Sequence, residues 1–404
     1  MKSIKIITLI IASLLVLSAL ASCDLPLLSN ETESESESGS ASSGGSSGST
    51  TEAERFDYLN SDMKDYIAID KSAYTGVNVS LPTYLNGSEG AVAEYIKLLC
   101  ETYPESTGNK ITDQPIKKGD TVALYYEGWL EGVKFEGGSN MDDEKPYSLT
   151  IGSGTFIPGF EEGLIGLIPA NNSRDNLYDL YLTFPSDYHS ADLAGKAVVF
   201  KVYVEYIDEK APAEYNDSFI KDTLGYSTTA TDVKADFEKY LKETYLPSMK
   251  ENEMANLIWE EITEKAVILN YPEGELEYFS SSYESQYKQY YDYYYKNMFS
   301  SYDEFMKAYF GNDWKKEFEE QSKIDVEQNL IFHYIAQVEG MTITETDYQN
   351  AIQYYIDYYA EQNTKLTAKE VEQYFGERMI KEQALWTKVQ NFLIANCNVV
   401  YENK

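Results

Sequence analysis

Apolar and polar residues alternate with period 2 in several stretches between residues 113 and 208. Val122, Leu124 and Tyr126 share one face, as do Tyr147, Leu149 and Ile151. The same rule joins Tyr178, Leu180, Leu182 and Phe184, and then Val198, Phe200, Val202, Val204 and Tyr206. Such alternation predicts half-buried strands. One short helix is expected among them, Phe160 to Gly166, following Ile157-Pro-Gly159. Beyond residue 208 the spacing becomes helical. Thr231-Asp232 offers N-cap chemistry, and Val233, Phe237, Tyr240 and Leu241 mark one face. Met254, Ile258, Ile262 and Ala266 continue it past an expected kink at Pro247, until Tyr271-Pro272 breaks the pattern. A further helix is expected from about Glu275 to Asn297. Before residue 113 the pattern is weaker, with a short strand over Tyr74–Ser80 and a helix over Ala91–Cys100. Strands first and helices afterwards predict an α+β protein: a few antiparallel strands on one short helix, then an all-helical part.

The chain has 404 residues and a formal net charge of −34, which argues against a nucleic-acid partner, because a phosphate backbone needs a basic footprint. Hydrophobic residues make up 43%, enough for real cores. With only His189 and His333, with Cys23, Cys100 and Cys397, and with no Cys-x-x-Cys, a metal site of thiolates and imidazoles is not expected, and neither is a cofactor. Tyrosine is in surplus: 37 Tyr against 16 Phe. A tyrosine has an apolar body and a polar tip, and so tolerates both burial and water.

The N-terminus reads as an address. Lys2 and Lys5 precede the apolar run Ile6–Leu17, which is short for a membrane span. Leu20-Ala-Ser-Cys23 then looks like a bacterial lipobox, with residues 1–22 as signal peptide and Cys23 as the lipidated residue. An ordinary secretory signal with a free Cys23 is the other reading, and both export the protein. Residues 23–55 include a stretch, Asn30 to Thr51, made almost wholly of Ser, Gly, Glu and Thr, the composition of a tether. Cys100 and Cys397 either pair in an oxidising compartment or remain buried thiols.

Within 113–208 the motifs themselves resemble a known family. Lys118-Gly-Asp-Thr-Val-Ala-Leu-Tyr-Tyr-Glu-Gly128, Phe135-Glu-Gly-Gly138, Ile151-Gly-Ser-Gly154, Phe156-Ile-Pro-Gly-Phe-Glu-Glu-Gly163 and Phe184-Pro-Ser-Asp-Tyr-His189 resemble the FKBP-type peptidyl-prolyl isomerases, in family order. The Phe-Glu-Gly-Gly and Phe-Pro-x-Asp-Tyr-His versions look like the trigger factor branch. Asp70–Val79 is similar to the stretch before that branch's isomerase domain, and Ala213–Gly225 to the start of its helical chaperone domain. The resemblance implies an FKBP-like antiparallel half-barrel wrapped on a short helix, followed by an elongated all-helical chaperone domain. It also implies a division into a linking segment 56–112, an isomerase domain 113–208 and a chaperone domain 209–404. The branch's basic ribosome-binding module is not seen, so no ribosome partner is expected of an exported chain.

The resemblance places Tyr126, Phe135, Tyr147, Phe156, Ile157, Phe160 and Phe200 in the pocket. Phe160 would be its floor, the Ile157 N–H would bond a substrate carbonyl, and Tyr126 would offer a hydroxyl. Glu136 stands where many members carry Asp, and Tyr188 and His189 fall on a shortened flap loop. Read from the residues alone, Tyr126, Tyr147 and Phe200 are equally core aromatics on inward strand faces. In the helical part, Tyr283, Tyr287, Tyr290, Tyr291, Tyr294 and Tyr295 cover more than one helix face, and Tyr354, Tyr355, Tyr358 and Tyr359 form another cluster. These are either packed faces or an exposed aromatic surface. The second reading makes Tyr287, Tyr291 and Tyr294 contacts for unfolded clients. The expected function is therefore a membrane-anchored extracytoplasmic foldase that isomerises X-Pro bonds and holds unfolded exported proteins. The alternatives are a binding-only chaperone with a degenerate pocket and, against the segregated strands and helices, a transporter's solute-binding lipoprotein.

Overall fold

The computed structural model describes residues 55–402 apart from 187, 189 and 363. The expected signal peptide, Cys23 and most of the expected tether therefore lie outside the described residues. Two compact units are present: one gathers the described residues up to Asn86 with those from Pro247 onward, and the other is Gly87–Leu246.

In chain order the first unit begins with β1 (Ile67–Ala68) and β2 (Asn78–Pro82). The second unit follows with α1 (Ala91–Thr102), β3 (Glu105–Ile111), β4 (Thr121–Leu130), β5 (Val133–Ser139), β6 (Tyr147–Thr150), α2 (Phe160–Leu164), β7 (Tyr178–Thr183), β8 (Ala197–Ala211) and α3 (Val233–Tyr240). Its six strands form one antiparallel sheet of order β3-β8-β4-β5, with β6 also on β4 and β7 also on β8. The inward residues of the alternating stretches meet α2: Val122, Leu124, Leu149, Ile151, Leu180, Phe184, Val198, Phe200, Val202 and Val204 pack with Phe160 and Leu164. β4 is buried on both faces, with Ala123 and Tyr125 covered as well as Val122 and Leu124, and in β8 the alternation is broken. Leu124 pairs with Val204 but Ala123 with Tyr206, a bulge that inserts one residue into β8. Past it the faces exchange: Ile207 is buried, and Tyr206 turns outward beneath the Lys110 ammonium, 4.1 Å from its ring centroid.

The remaining helices are α4 (Leu246–Lys265), α5 (Glu275–Tyr290), α6 (Tyr302–Phe310), α7 (Trp314–Val338), α8 (Glu345–Glu361) and α9 (Ala368–Ala395), with β9 (Val267–Ile268) between α4 and α5 and β10 (Asn398–Glu402) at the end. Asp232 caps α3 by accepting from the Ala235 N–H at 3.1 Å, as its sequence predicts. Pro247 lies in the first turn of α4, directly after the wider turn Leu241–Tyr245, where a missing N–H is tolerated. Thr344 with Asp347 and Thr367 with Glu370 form capping boxes for α8 and α9. Gly376, at φ 73°, breaks α9 internally.

The core of the first unit joins Met254, Ile258 and Ile262 of α4, Val326, Leu330 and Ile335 of α7, and Leu385, Val389 and Leu393 of α9. It also takes in Tyr58, Met63, Ile67, Tyr74, Val79 and Leu81 from the start of the described chain. Segment 56–112, expected as a single linking piece, is thus divided. Residues 56–86 belong with the helices, tied by parallel pairing of β2 to β10 and antiparallel pairing of β1 to β9. Residues 87–112 belong with the sheet, through β3 on β8. Pairings between segments some 320 residues apart leave no periodic trace in a single sequence, which is why the division is not legible there and falls between Asn86 and Gly87, not at the expected 112.

Candidate active site

The concave face of the sheet holds a cavity of about 440 Å³ lined by Tyr126, Phe135, Gly137, Gly138, Tyr147, Thr155, Phe156, Ile157, Pro158, Phe184, Pro185, Tyr188 and Phe200. Each wall has a local cause. Tyr126 is an inward residue of β4, and Asn140 fixes it from the end of β5. The Asn140 Oδ1 accepts from the Tyr126 N–H at 2.6 Å, its own N–H donates to the Tyr126 carbonyl at 3.0 Å, and its Nδ2 donates to the Leu124 carbonyl at 3.2 Å. Phe135 reaches the cavity between two glycines. A Cβ on Gly128 or on Gly138 would run into its ring, so the Glu-Gly and Phe-Glu-Gly-Gly motifs are steric requirements of one side chain. Gly159, at φ 92°, starts α2, and a Cβ there would also meet Leu182.

The rings meet mostly edge to face. Phe135 lies 6.1 Å from Phe200 and 5.8 Å from Phe184, and Tyr126 and Tyr147 present edges to Phe156 at 5.1 and 5.6 Å. Burial, with Tyr147 and Asp143 nearby, pushes the Tyr126 phenol above its ordinary pKa, so it stays a neutral donor. Tyr188 packs on Phe184 at 4.7 Å. The Ile157 carbonyl accepts from the Phe160 N–H at 3.1 Å, which fixes the turn that presents Ile157.

Two expected site residues, Phe160 as the floor and Glu136, do not line the cavity. Phe160 is fully buried and absent from the cavity wall, because Phe156 stacks on it at 4.1 Å and 17°. Glu136 is exposed and also absent from the wall, since β5 turns it to solvent while its neighbour Phe135 points in. His189 lies outside the described residues.

Sequence reasoning missed Glu161. Its side chain is almost wholly buried and accepts from the N–H groups of Gly152, Gly154, Thr155 and Phe156 at 2.6, 3.1, 2.8 and 3.3 Å, and from the Ser153 hydroxyl at 3.2 Å. Burial alone would raise the carboxyl's pKa, but these donors hold it below the usual range. One carboxylate thus sets the loop that carries Phe156 and Ile157. The available signal was a Glu one residue into a helix, downstream of the Gly-Ser-Gly turn.

The tyrosines of the helical unit separate by face. Tyr283 is buried, and Tyr287, Tyr291 and Tyr295 follow it at helical spacing into the cluster of Phe305, Met306, Trp314 and Phe318. Tyr287 stacks on Phe318 at 5.5 Å, and Tyr291 meets Phe305 at 5.6 Å. Of the three expected client contacts, only Tyr294 is exposed, with Tyr290 and Tyr293 beside it at 5.0 and 4.5 Å; Met298 and Tyr309 are exposed as well.

Residues 112–205 match the family model described as FKBP-type peptidyl-prolyl cis-trans isomerase. The chain is 31% identical over 293 residues to the trigger factor of Caldicellulosiruptor bescii, covering 72% of this chain and 63% of that one. It is 40% identical over 168 residues to the trigger factor of Bacillus cytotoxicus, covering 41% and 36%. The chain therefore spans less than two thirds of the length of these relatives. With the trigger factor of a Geobacillus species it shares 30% identity over 320 residues, covering 76% of this chain and 68% of that one. An antiparallel sheet closed on α2 around an aromatic cavity, followed by helices, agrees with these matches: the chain belongs to the trigger factor family and carries an FKBP-type peptidyl-prolyl cis-trans isomerase domain.

Proposed function

We propose that this chain is an extracytoplasmic, lipid-anchored foldase that isomerises X-Pro bonds in exported proteins and holds them while unfolded. The observation that carries the isomerase reading is the character of the cavity. Among its described lining residues are aromatic rings, Ile157 and two prolines, and no carboxylate, amine or imidazole. Isomerisation needs none. The barrier of roughly 18–20 kcal/mol comes from amide resonance, and no bond breaks. A dry aromatic wall favours the twisted, less polar amide over the planar one, and that difference lowers the barrier. The Ile157 N–H bonds a substrate carbonyl, and the neutral Tyr126 phenol donates to a second acceptor.

The holding function rests on the exposed tyrosine patch. Tyr293 is 64% and Met298 73% exposed, large apolar groups on an otherwise acidic surface. Tyr presents such area to unfolded chains with a polar tip that keeps the patch soluble. The address rests on Lys2, Lys5, the run Ile6–Leu17 and Leu20-Ala-Ser-Cys23. An exported chain works away from the ribosome.

A protease-coupled assay on a prolyl tetrapeptide tests the isomerase reading: the full chain raises the cis-to-trans rate in proportion to its concentration. Absence of any increase would support a binding-only chaperone instead.

A further inference from the structure

The cavity's aromatic walls already hold a ring, and it belongs to the chain itself. Phe156 lies face to face with Phe160 at 4.1 Å, with the edges of Tyr126 and Tyr147 against it at 5.1 and 5.6 Å. Behind it Phe160 is fully buried and braced by Phe200 at 5.2 Å. Phe160, Tyr126 and Tyr147 thus form three sides of an aromatic box whose occupant is a side chain from the loop before α2.

That occupant can leave in one way only. The Glu161 carboxylate accepts from the Phe156 N–H and from three N–H groups of the preceding turn, so the backbone is pinned and movement falls to the side-chain torsions. There is room on the other side. Residues 156–158 form a partition, and beyond it lies a second cavity of about 460 Å³, bordered by Lys118, Ile151, Gly152, Glu162 and Ile165, which Phe156 also lines.

We propose that Phe156 is an aromatic gate and a determinant of substrate affinity. In the closed form its ring fills the box on Phe160. In the open form it swings into the neighbouring cavity and the pyrrolidine ring of a prolyl peptide takes its place. The inference rests on the isomerase reading of this cavity. Its energetic consequence has a definite sign. A peptide that must displace a stacked ring binds more weakly than its contacts allow, because only the open fraction is competent. Removing the ring removes that penalty. A fixed wall would behave oppositely, since its removal deletes contact area.

Calorimetric titration of the full chain with an N-acylated Ala-Leu-Pro-Phe anilide distinguishes the two. A stacking contact of ordinary strength predicts that Phe156→Ala binds the peptide about two- to tenfold more tightly than the parent. Phe156→Leu, which keeps bulk and lacks the ring, is expected to move the same way, with thermal unfolding confirming that both variants are folded. Equal or weaker binding by both folded variants overturns the gate. Peptide that binds, with the expected tightening, but is not isomerised overturns the isomerase reading and leaves the gate standing. Peptide that binds neither parent nor variants overturns both.

Discussion

Single side chains in the isomerase domain divide into those that meet the cavity and those that hold others in place. Phe135 meets it and is only half-buried, so Phe135→Ala acts on the site with modest cost to the core. Phe160 is different. Loss of a fully buried Phe typically costs about 3–5 kcal/mol, so Phe160→Ala is expected to unfold the sheet and to abolish every activity of the domain at once. Glu161 holds others. Glu161→Gln keeps the shape and removes the charge that several donors share, and is expected to cost about 2–3 kcal/mol. The native Glu161 carboxyl is held below its unfolded range, so its contribution is present above pH 4.5 and is lost as pH falls through the lowered value. Urea midpoints at neutral pH check the cost, and midpoints followed downward from pH 4.5 check its progressive loss in acid. Unchanged midpoints at neutral pH would remove Glu161 from the positioning role.

At the scale of elements, α7 carries two buried titratable groups with opposite pH dependence. Burial lowers His333 to about 3, with the nearby Arg378 and Arg55 adding to it against the Asn329 carbonyl bond. The unfolded imidazole takes a proton near 6.5 and the folded one does not, so this group costs stability as pH falls from about 6.5 toward 3. Burial raises Asp325 to about 6, opposed by bonds from Tyr283 and Gln321. The folded carboxyl keeps its proton where the unfolded one has lost it, so this group costs stability as pH rises from 3.8 to about 6. The two slopes partly cancel in the parent chain. His333→Gln is expected to leave a unit that stabilises as pH drops from 6 to 4, and Asp325→Asn one that destabilises over the same interval. Thermal unfolding across that range checks both signs. The Arg55 guanidinium pairs with Glu275 at 3.1 Å and lies over the Tyr278 ring at 4.3 Å, and Glu275 also accepts from the Phe56 N–H at 2.9 Å. Both side chains are buried. Glu275→Gln removes the carboxylate bonded to Arg55, leaving Glu382 as the nearby negative charge, and is expected to cost about 3 kcal/mol, read as a lower unfolding midpoint.

Over the whole molecule, legibility in the sequence followed the range of the interaction. Strand faces were readable from Val122 to Val204 because alternation is local, and the reading failed at Tyr206, where a bulge set by the partner strand exchanged the faces. The tyrosine excess was visible, but its division was not. Helical spacing puts Tyr283, Tyr287, Tyr291 and Tyr295 on one line, and only the presence of Phe305 and Phe318 shows that this line is the buried one. Tyr293→Ser with Tyr294→Ser is therefore expected to weaken suppression of client aggregation while leaving the unfolding midpoint in place. Tyr287→Ala is expected to cost about 2 kcal/mol or more of stability and so to lower that midpoint. The pocket was legible as a set of motifs, whereas the stacking of Phe156 on Phe160 and the reach of Glu161 were not, since both depend on how one loop folds back. For the address, Cys23→Ala is expected to release the protein from membranes into the soluble fraction, and unchanged membrane association would argue against lipidation.

The aromatic cavity of 113–208 is proposed to catalyse prolyl isomerisation in this chain. Refolding of a proline-limited substrate, followed with the full-length parent and with Phe135→Ala, tests it most directly. The parent is expected to accelerate the slow phase in proportion to its concentration, and Phe135→Ala to lose ~10-fold or more of that acceleration while still suppressing client aggregation. A slow phase that the parent leaves unchanged would contradict the account.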